Sequence, residues 1–160
     1  MPLIVDCYNV LRATMPPMLA GLSEAGLCQA LARTTWAADP ITVVADGRPK
    51  PLGVTESPVA AVDLIYAGSH RSADDLIIEL IRQHSAPRRL TVVSSDREIR
   101  KAARARRARD LPSDAFIDKL CHQLRKHAQG PPPSGRPAVG PLPPELVQRW
   151  KHAFGFDEHD

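Results

Sequence analysis

Five aspartates stand where a carboxylate can do chemistry. Asp6 ends the apolar run Leu3, Ile4, Val5, and Asn9 follows it by about one turn of chain. Asp46 ends a second run over residues 41–45, and Asp96 comes shortly after a third over residues 90–93. Asp74 and Asp75 open an amphipathic stretch. Carboxylates gathered a few ångströms apart repel one another, and burial raises their pKa values, so such a group stays ionised only when a cation neutralises it. An all-oxygen donor set suits Mg²⁺ or Mn²⁺. Either ion could polarise a phosphodiester and lower the pKa of a water for in-line attack. No His/Cys set has zinc spacing.

Taken singly, each acid has an ordinary reading. An Asp after a strand is commonly a turn or cap residue, and Asp46-Gly47 is a common turn. Asp74-Asp75 suits a helix N-terminus through the macrodipole alone, and Asp96 could simply start its helix. Their recurrence at the same end of successive elements is what points to one site.

The elements that would position these acids can be read from periodicity. Short apolar runs bounded by turn residues predict strands buried on both faces at 3–5, 41–45 and 90–93, with a weaker one at 59–66. Helices are predicted over 18–38, where Gly21 and Gly26 weaken the first half, and over 72–84 behind Ser72 as N-cap. In the latter, Ala73, Leu76, Ile77, Leu80 and Ile81 share a face. Asp74 lies at the edge of that face, aimed at the strand ends, and Asp75 points to solvent. Ser95 and Glu98 have capping-box spacing, which predicts a helix to about residue 107. A brief extended piece at 110–111 and a last helix over 113–126 complete the domain, with Phe116, Ile117, Leu120 and Leu124 inward. Strands alternating with helices imply a three-layer α/β/α fold with a mainly parallel central sheet. In such sheets ligands bind just outside the carboxyl ends of the strands.

The 160 residues divide into a domain over 1–128, a linker over 129–144 and a tail over 145–160. The linker holds seven prolines and three glycines in sixteen residues, which predicts an extended segment. In the tail, Leu146, Val147, Trp150 and Phe154 would share one side of a short helix that docks on a protein partner or on the domain itself. An aromatic fraction of 4% predicts a core of Leu, Ile, Val and Ala. No apolar run is long enough for a membrane span, the N-terminus lacks a signal-peptide pattern, and three widely spaced cysteines form no CxxC pair. A reducing cytoplasm is the expected location.

The motifs LIVDCYNVL, VVADG, SADDLIIEL and VVSSDREI, in that order over about residues 2–122, resemble those of the YacP-like NYN domains within the PIN-like nuclease group. The resemblance implies a PIN-like fold and metal-dependent endoribonuclease activity, in mRNA or ribosome-linked RNA turnover. It also implies that Asp6, Asp46, Asp74, Asp75 and Asp96 are metal ligands and that Asn9 orients the site or the substrate. Of these, Asp6, Asn9, Asp74 and Asp96 would carry catalysis. The family often has Gly after its first acid, where this chain has Cys7, so a side chain there bears on the width of the pocket or the turn.

Charge distribution supports a nucleic-acid partner on separate grounds. The net charge is only +3, but seven of the fourteen residues from Arg97 to Asp110 are basic. Arg97, Arg100, Lys101, Arg104 and Arg107 would form one helical stripe beginning beside Asp96, a track for an RNA backbone. The same pattern also suits a solvated helix face. Arg48 and Lys50 are further candidates for phosphate contact. An RNA-binding or ribosome-associated module that cleaves poorly needs the stripe but not the full acid set. A haloacid-dehalogenase-type phosphohydrolase would want a second Asp two residues after Asp6, where Tyr8 stands.

Overall fold

Strand β1 (Leu3–Asp6) is buried along its whole length and lies at the centre of a five-stranded sheet. The computed structural model describes residues 1–48 and 60–128. The other strands are β2 (Ile41–Ala45), β3 (Val62–Tyr66), β4 (Thr91–Val93) and β5 (Arg109–Leu111). Their order is β3-β2-β1-β4-β5 and every pairing is parallel, with Leu3 in register with both Ile41 and Thr91. Parallel strands need crossover connections, which are supplied mainly by α1 (Cys7–Arg12), α2 (Glu24–Ala32), α3 (Ala73–Gln83) and α4 (Arg97–Ala105). Helix α5 (Ser113–Ala128) follows the last strand.

Side-chain alternation along β1 divides the core in two. Leu3 and Val5 pack with Leu27 and Leu31 of α2 and with Phe116 and Leu120 of α5. Ile4 faces the other way and packs with Ile77 and Ile81 of α3 and Ile99 and Ala103 of α4. This is the expected α/β/α sandwich, and Trp36 stacks on Phe116 with ring centroids 5.3 Å apart. Truncating any of these fully buried Leu or Ile side chains to Ala should cost about 2–5 kcal/mol.

The chain builds outward from β1 through β2 to β3, then crosses back to place β4 on the opposite side of β1. The connections therefore diverge between β1 and β4, and they leave a crevice at the carboxyl ends of those two strands. Asp6 ends the first, and Ser94, Ser95 and Asp96 follow the second.

Three local expectations need correction. The segment 18–38 is not one helix: 3₁₀ turns at Pro17–Leu19 and Thr35–Ala38 flank the nine-residue α2. Gly21 sits at φ 72°, and Ser23 caps a fresh start by accepting from the Gly26 N–H at 3.0 Å. The third strand starts at Val62 because residues 60 and 61 form a turn; residue 59 lies outside the described residues. The cap of α4 is Asp96 rather than Ser95, and α4 ends at Ala105, so Arg107 lies beyond the helix. The proline-rich segment 129–144 and the tail carrying Leu146, Trp150 and Phe154 also lie outside the described residues. Among the described residues, no helix is long and apolar enough to cross a membrane.

Candidate active site

Asp6 is both the last residue of β1 and the N-cap of α1, so the chain passes from strand to helix without a loop. Its Oδ1 accepts from the Asn9 N–H at 3.4 Å and its Oδ2 accepts from the Ser94 hydroxyl at 2.9 Å. Only 5% of Asp6 is exposed. Burial raises its pKa above the ordinary carboxylate value, the bonds from Ser94 and Asn9 lower it, and Asp74 and Asp46 raise it again.

The other acids come from different elements. Asp46 lies in the turn after β2, where its Oδ1 accepts from the Ala73 N–H at 2.7 Å and ties that turn to the first residue of α3. Gly47 and Gly68 form an isolated bridge there, with φ values of 79° and 90° that an L side chain rarely adopts. Asp74 stands in the first turn of α3. Its pKa is also raised, by burial first and then by Asp96, Asp46 and Asp75. Asp96 caps α4, its Oδ1 accepting from the N–H groups of Glu98 (2.9 Å) and Ile99 (3.1 Å), while its own N–H donates to Ser94 Oγ at 3.1 Å.

These acids meet in an open cleft of about 460 Å³. Asp6, Asp46, Asp74 and Asp96 line it with Asn9, and so does Asp114 from the first turn of α5. Asn9 braces the floor. Its Oδ1 accepts from the Ser95 N–H at 2.9 Å and from the Ser113 hydroxyl at 2.6 Å, linking α1 to the β4–α4 connection and to α5. Since an N–H can only donate, the atom facing Ser95 is the carboxamide oxygen, which leaves the NH₂ for other acceptors. Among the described residues Arg12 is the only cation lining the cleft, and its guanidinium lies over the Tyr8 ring, 5.8 Å from the centroid. The Tyr8 hydroxyl donates to Glu24, which together with burial pushes its pKa up to about 12.

Asp75 is exposed on α3 and does not line the cleft. Lys50 lies outside the described residues. Arg48 is exposed, and its Nη2 donates to Ser69 Oγ at 3.0 Å. Cys7 does not narrow the cleft: its side chain is fully buried in the core, and burial pushes its thiol up to about 12. Among the described residues, no three His, Cys, Asp or Glu side chains are grouped closely enough to hold an ion directly. The donor set is nonetheless all oxygen and strongly acidic, which fits a hard divalent cation held through one or two carboxylates and water.

The basic stripe is uneven. Arg97, Lys101 and Arg104 are exposed and Arg100 is half-buried. Arg100 Nε and Arg104 Nη2 converge on Asp110 Oδ2 at 2.9 and 2.8 Å, and these partners hold the Asp110 carboxyl below its usual pKa. Arg107 sits past the end of α4 in the left-handed region, at φ 59°.

Sequence reasoning missed Asp114 and the serines. The signal for Asp114 was present: it follows a strand and opens a helix, as Asp74 does, but the strand is only three residues long. Ser94 and Ser113 carried no signal, because their roles depend on partners 88 and 104 residues away.

Comparison with known proteins agrees with this architecture. A family model described as the YacP-like NYN domain matches residues 3–132. Among solved structures, Rae1 (YacP) from Bacillus subtilis superposes with a TM-score of 0.63 at 16% identity, over 98% of this chain and 84% of that one. A mutant form of the same protein gives 0.57 at 20% identity, over 78% and 77%. No curated protein matches.

Proposed function

Because this chain belongs to the YacP-like NYN domain family, we propose that it is a Mg²⁺- or Mn²⁺-dependent endoribonuclease that hydrolyses RNA phosphodiester bonds at the cleft around Asp6. The observation that carries this reading is the convergence of Asp6, Asp46, Asp74, Asp96 and Asp114 at the crevice between β1 and β4. Turnover of mRNA or ribosome-linked RNA in the cytoplasm is the setting the family suggests.

Of Asp6, Asp46, Asp74 and Asp96, one or two would hold the cation directly and the others through its waters. When bound, it would neutralise charge at the scissile phosphate and provide a water of lowered pKa. The chain's own groups have separable tasks. Asp6, Asp46 and Asp96 each accept backbone N–H bonds, so their carboxylates are fixed before any substrate arrives. Asp74 makes no hydrogen bond through its carboxylate among the described residues, so it is the acid best able to adjust to an ion or to orient a water. The NH₂ of Asn9 and the guanidinium of Arg12 are the cleft's donors for phosphate or sugar oxygens. Asp75, which is exposed and does not line the cleft, has no part in this reading.

One observation favours a second reading, an RNA-binding module that cleaves poorly: among the described residues no three acids are grouped tightly enough to grip an ion directly. Incubation with a circular RNA in Mn²⁺, Mg²⁺ or EDTA separates the two. Linearisation only in the presence of metal is the expected result, and binding without linearisation in either metal selects the second reading. Circular single-stranded DNA run in parallel tests the preference for RNA.

A further inference from the structure

At the far end of α4 from the acidic cleft lies an open depression of about 560 Å³, lined among the described residues by Arg88, Arg89, Arg106 and Arg107 and by no carboxylate. We propose that this depression is a second phosphate-binding site, which holds a distal part of the RNA strand while the cleft engages the scissile bond. The inference rests on RNA being the substrate.

Three observations carry it. Arg88, Arg89 and Arg107 are exposed and make no ion pair among the described residues, whereas Arg100 and Arg104 share Asp110. Like charges gathered without a counter-ion repel one another, and guanidiniums match phosphate in a bidentate fork. Second, the site is built from two segments. Arg88 and Arg89 come from the 3₁₀ turn Pro87–Arg89 that leads into β4, and Arg106 is fixed by donating Nη2 to the His84 carbonyl at 3.0 Å. Favourable interaction with the C-terminal end of the α4 dipole explains Arg106 and Arg107 but not the pair before β4.

Third, Arg107 occupies a position that favours glycine. The Ala108 N–H bonds to the Ala103 carbonyl and the Arg107 N–H to the Arg104 carbonyl, each at 2.9 Å. This is a Schellman termination with Arg107 as its left-handed residue. A side chain is strained there, and glycine would not be. Helix termination alone therefore does not account for an arginine.

Asp96 and Arg106 are ten residues apart along α4, about 15 Å at 1.5 Å per residue. Exposed Arg97, Lys101 and Arg104 lie between them. A strand of a few nucleotides could run from cleft to depression over this basic face.

The test measures binding of a fluorescent RNA length series, from a dinucleotide to about 16 nucleotides, to the full chain in EDTA, so that nothing is cleaved. For the unaltered protein, affinity should step up once the strand is long enough to reach the depression. In Arg88→Gln/Arg89→Gln the step should shrink roughly tenfold, and the slope of log K against log salt for the longest RNA should fall by about 1.4. Arg107→Gly should raise Tm by about 2–4 °C while also weakening the longest RNA. A double variant that keeps the step, or an Arg107→Gly variant that binds long RNA as tightly as the unaltered protein, overturns the proposal. Because no turnover is involved, a step without metal-dependent cleavage sinks the nuclease reading alone, and cleavage without a step sinks this one alone.

Discussion

The two ends of α4 are charged oppositely and are built differently. At its N-terminus Asp96 joins four other cleft acids, and three of those five are hydrogen-bonded to backbone N–H groups. At its C-terminus four arginines gather, and among the described residues no acid lies with them and only Arg106 is tied to a neighbouring element. Both ends suit the helix macrodipole. The difference lies in anchoring: the acids are part of how the fold closes its helices, and most of the arginines are not. A change at the acidic end should therefore disturb both structure and chemistry, whereas a change at Arg88 or Arg89 should disturb binding alone.

Asp74 and Asp75 give the sharpest test of that contrast. Asp74→Asn should reduce metal-dependent RNA cleavage by about 10²-fold or more, without weakening RNA binding in EDTA. Asp75→Asn should change cleavage by no more than about twofold. Equal losses from both would mean that lining the cleft is not what matters. At Asp96, Asn and Ala should separate the two duties. Either change should remove cleavage, but Ala should also cost about 1 kcal/mol of stability in urea unfolding through loss of the α4 cap, and Asn should retain most of it. If both variants are equally stable, the cap does not depend on this side chain.

The smallest effects concern pH and have opposite signs at the two kinds of acid. Asp74 has a raised pKa, so its ionised form disfavours the metal-free fold above that pKa, and the penalty vanishes as pH falls below the unfolded value near 3.8. In EDTA, Asp74→Asn should be more stable than the unaltered protein at pH 7, and the two should converge at acid pH. Asp110 has a lowered pKa, held down mainly by Arg104 and then Arg100. Its stabilisation is full above about 3.8 and is lost as pH falls through the folded value. Asp110→Asn should thus be less stable at pH 7, by about 1 kcal/mol or less, and should converge from the other side. Urea midpoints measured from pH 3 to 7 check both.

The strands were legible because each is a short buried run that ends at a polar residue, and the parallel sheet followed from their alternation with helices. Asp6, Asp46, Asp74 and Asp96 were legible for the same reason: an acid at the end of an element is a local pattern. What stayed hidden was relational. Capping-box spacing pointed to Ser95 as the cap of α4, and the role falls to Asp96 while Ser95 Oγ instead accepts from the Ser113 N–H at 3.0 Å. The arginine stripe read as continuous until β5 placed Asp110 against two of its members. The helix over 18–38 was expected as one element because its apolar spacing persists through Gly21, whose left-handed backbone separates the 3₁₀ turn at Pro17–Leu19 from α2.

The Asp6 carboxyl is nine-tenths or more hidden, a setting in which such a group tends to capture a hydrogen and go neutral. Yet both of its oxygens already face donors, the Ser94 hydroxyl on one side and the Asn9 N–H on the other. A hydroxyl has a single hydrogen to give, and Ser94 turns it toward Asp6 while receiving the Asp96 N–H on its own oxygen. The neighbours thus offset part of what burial costs the charged form, and the deepest acid among the described residues is held at both oxygens by donors rather than by a counter-charge.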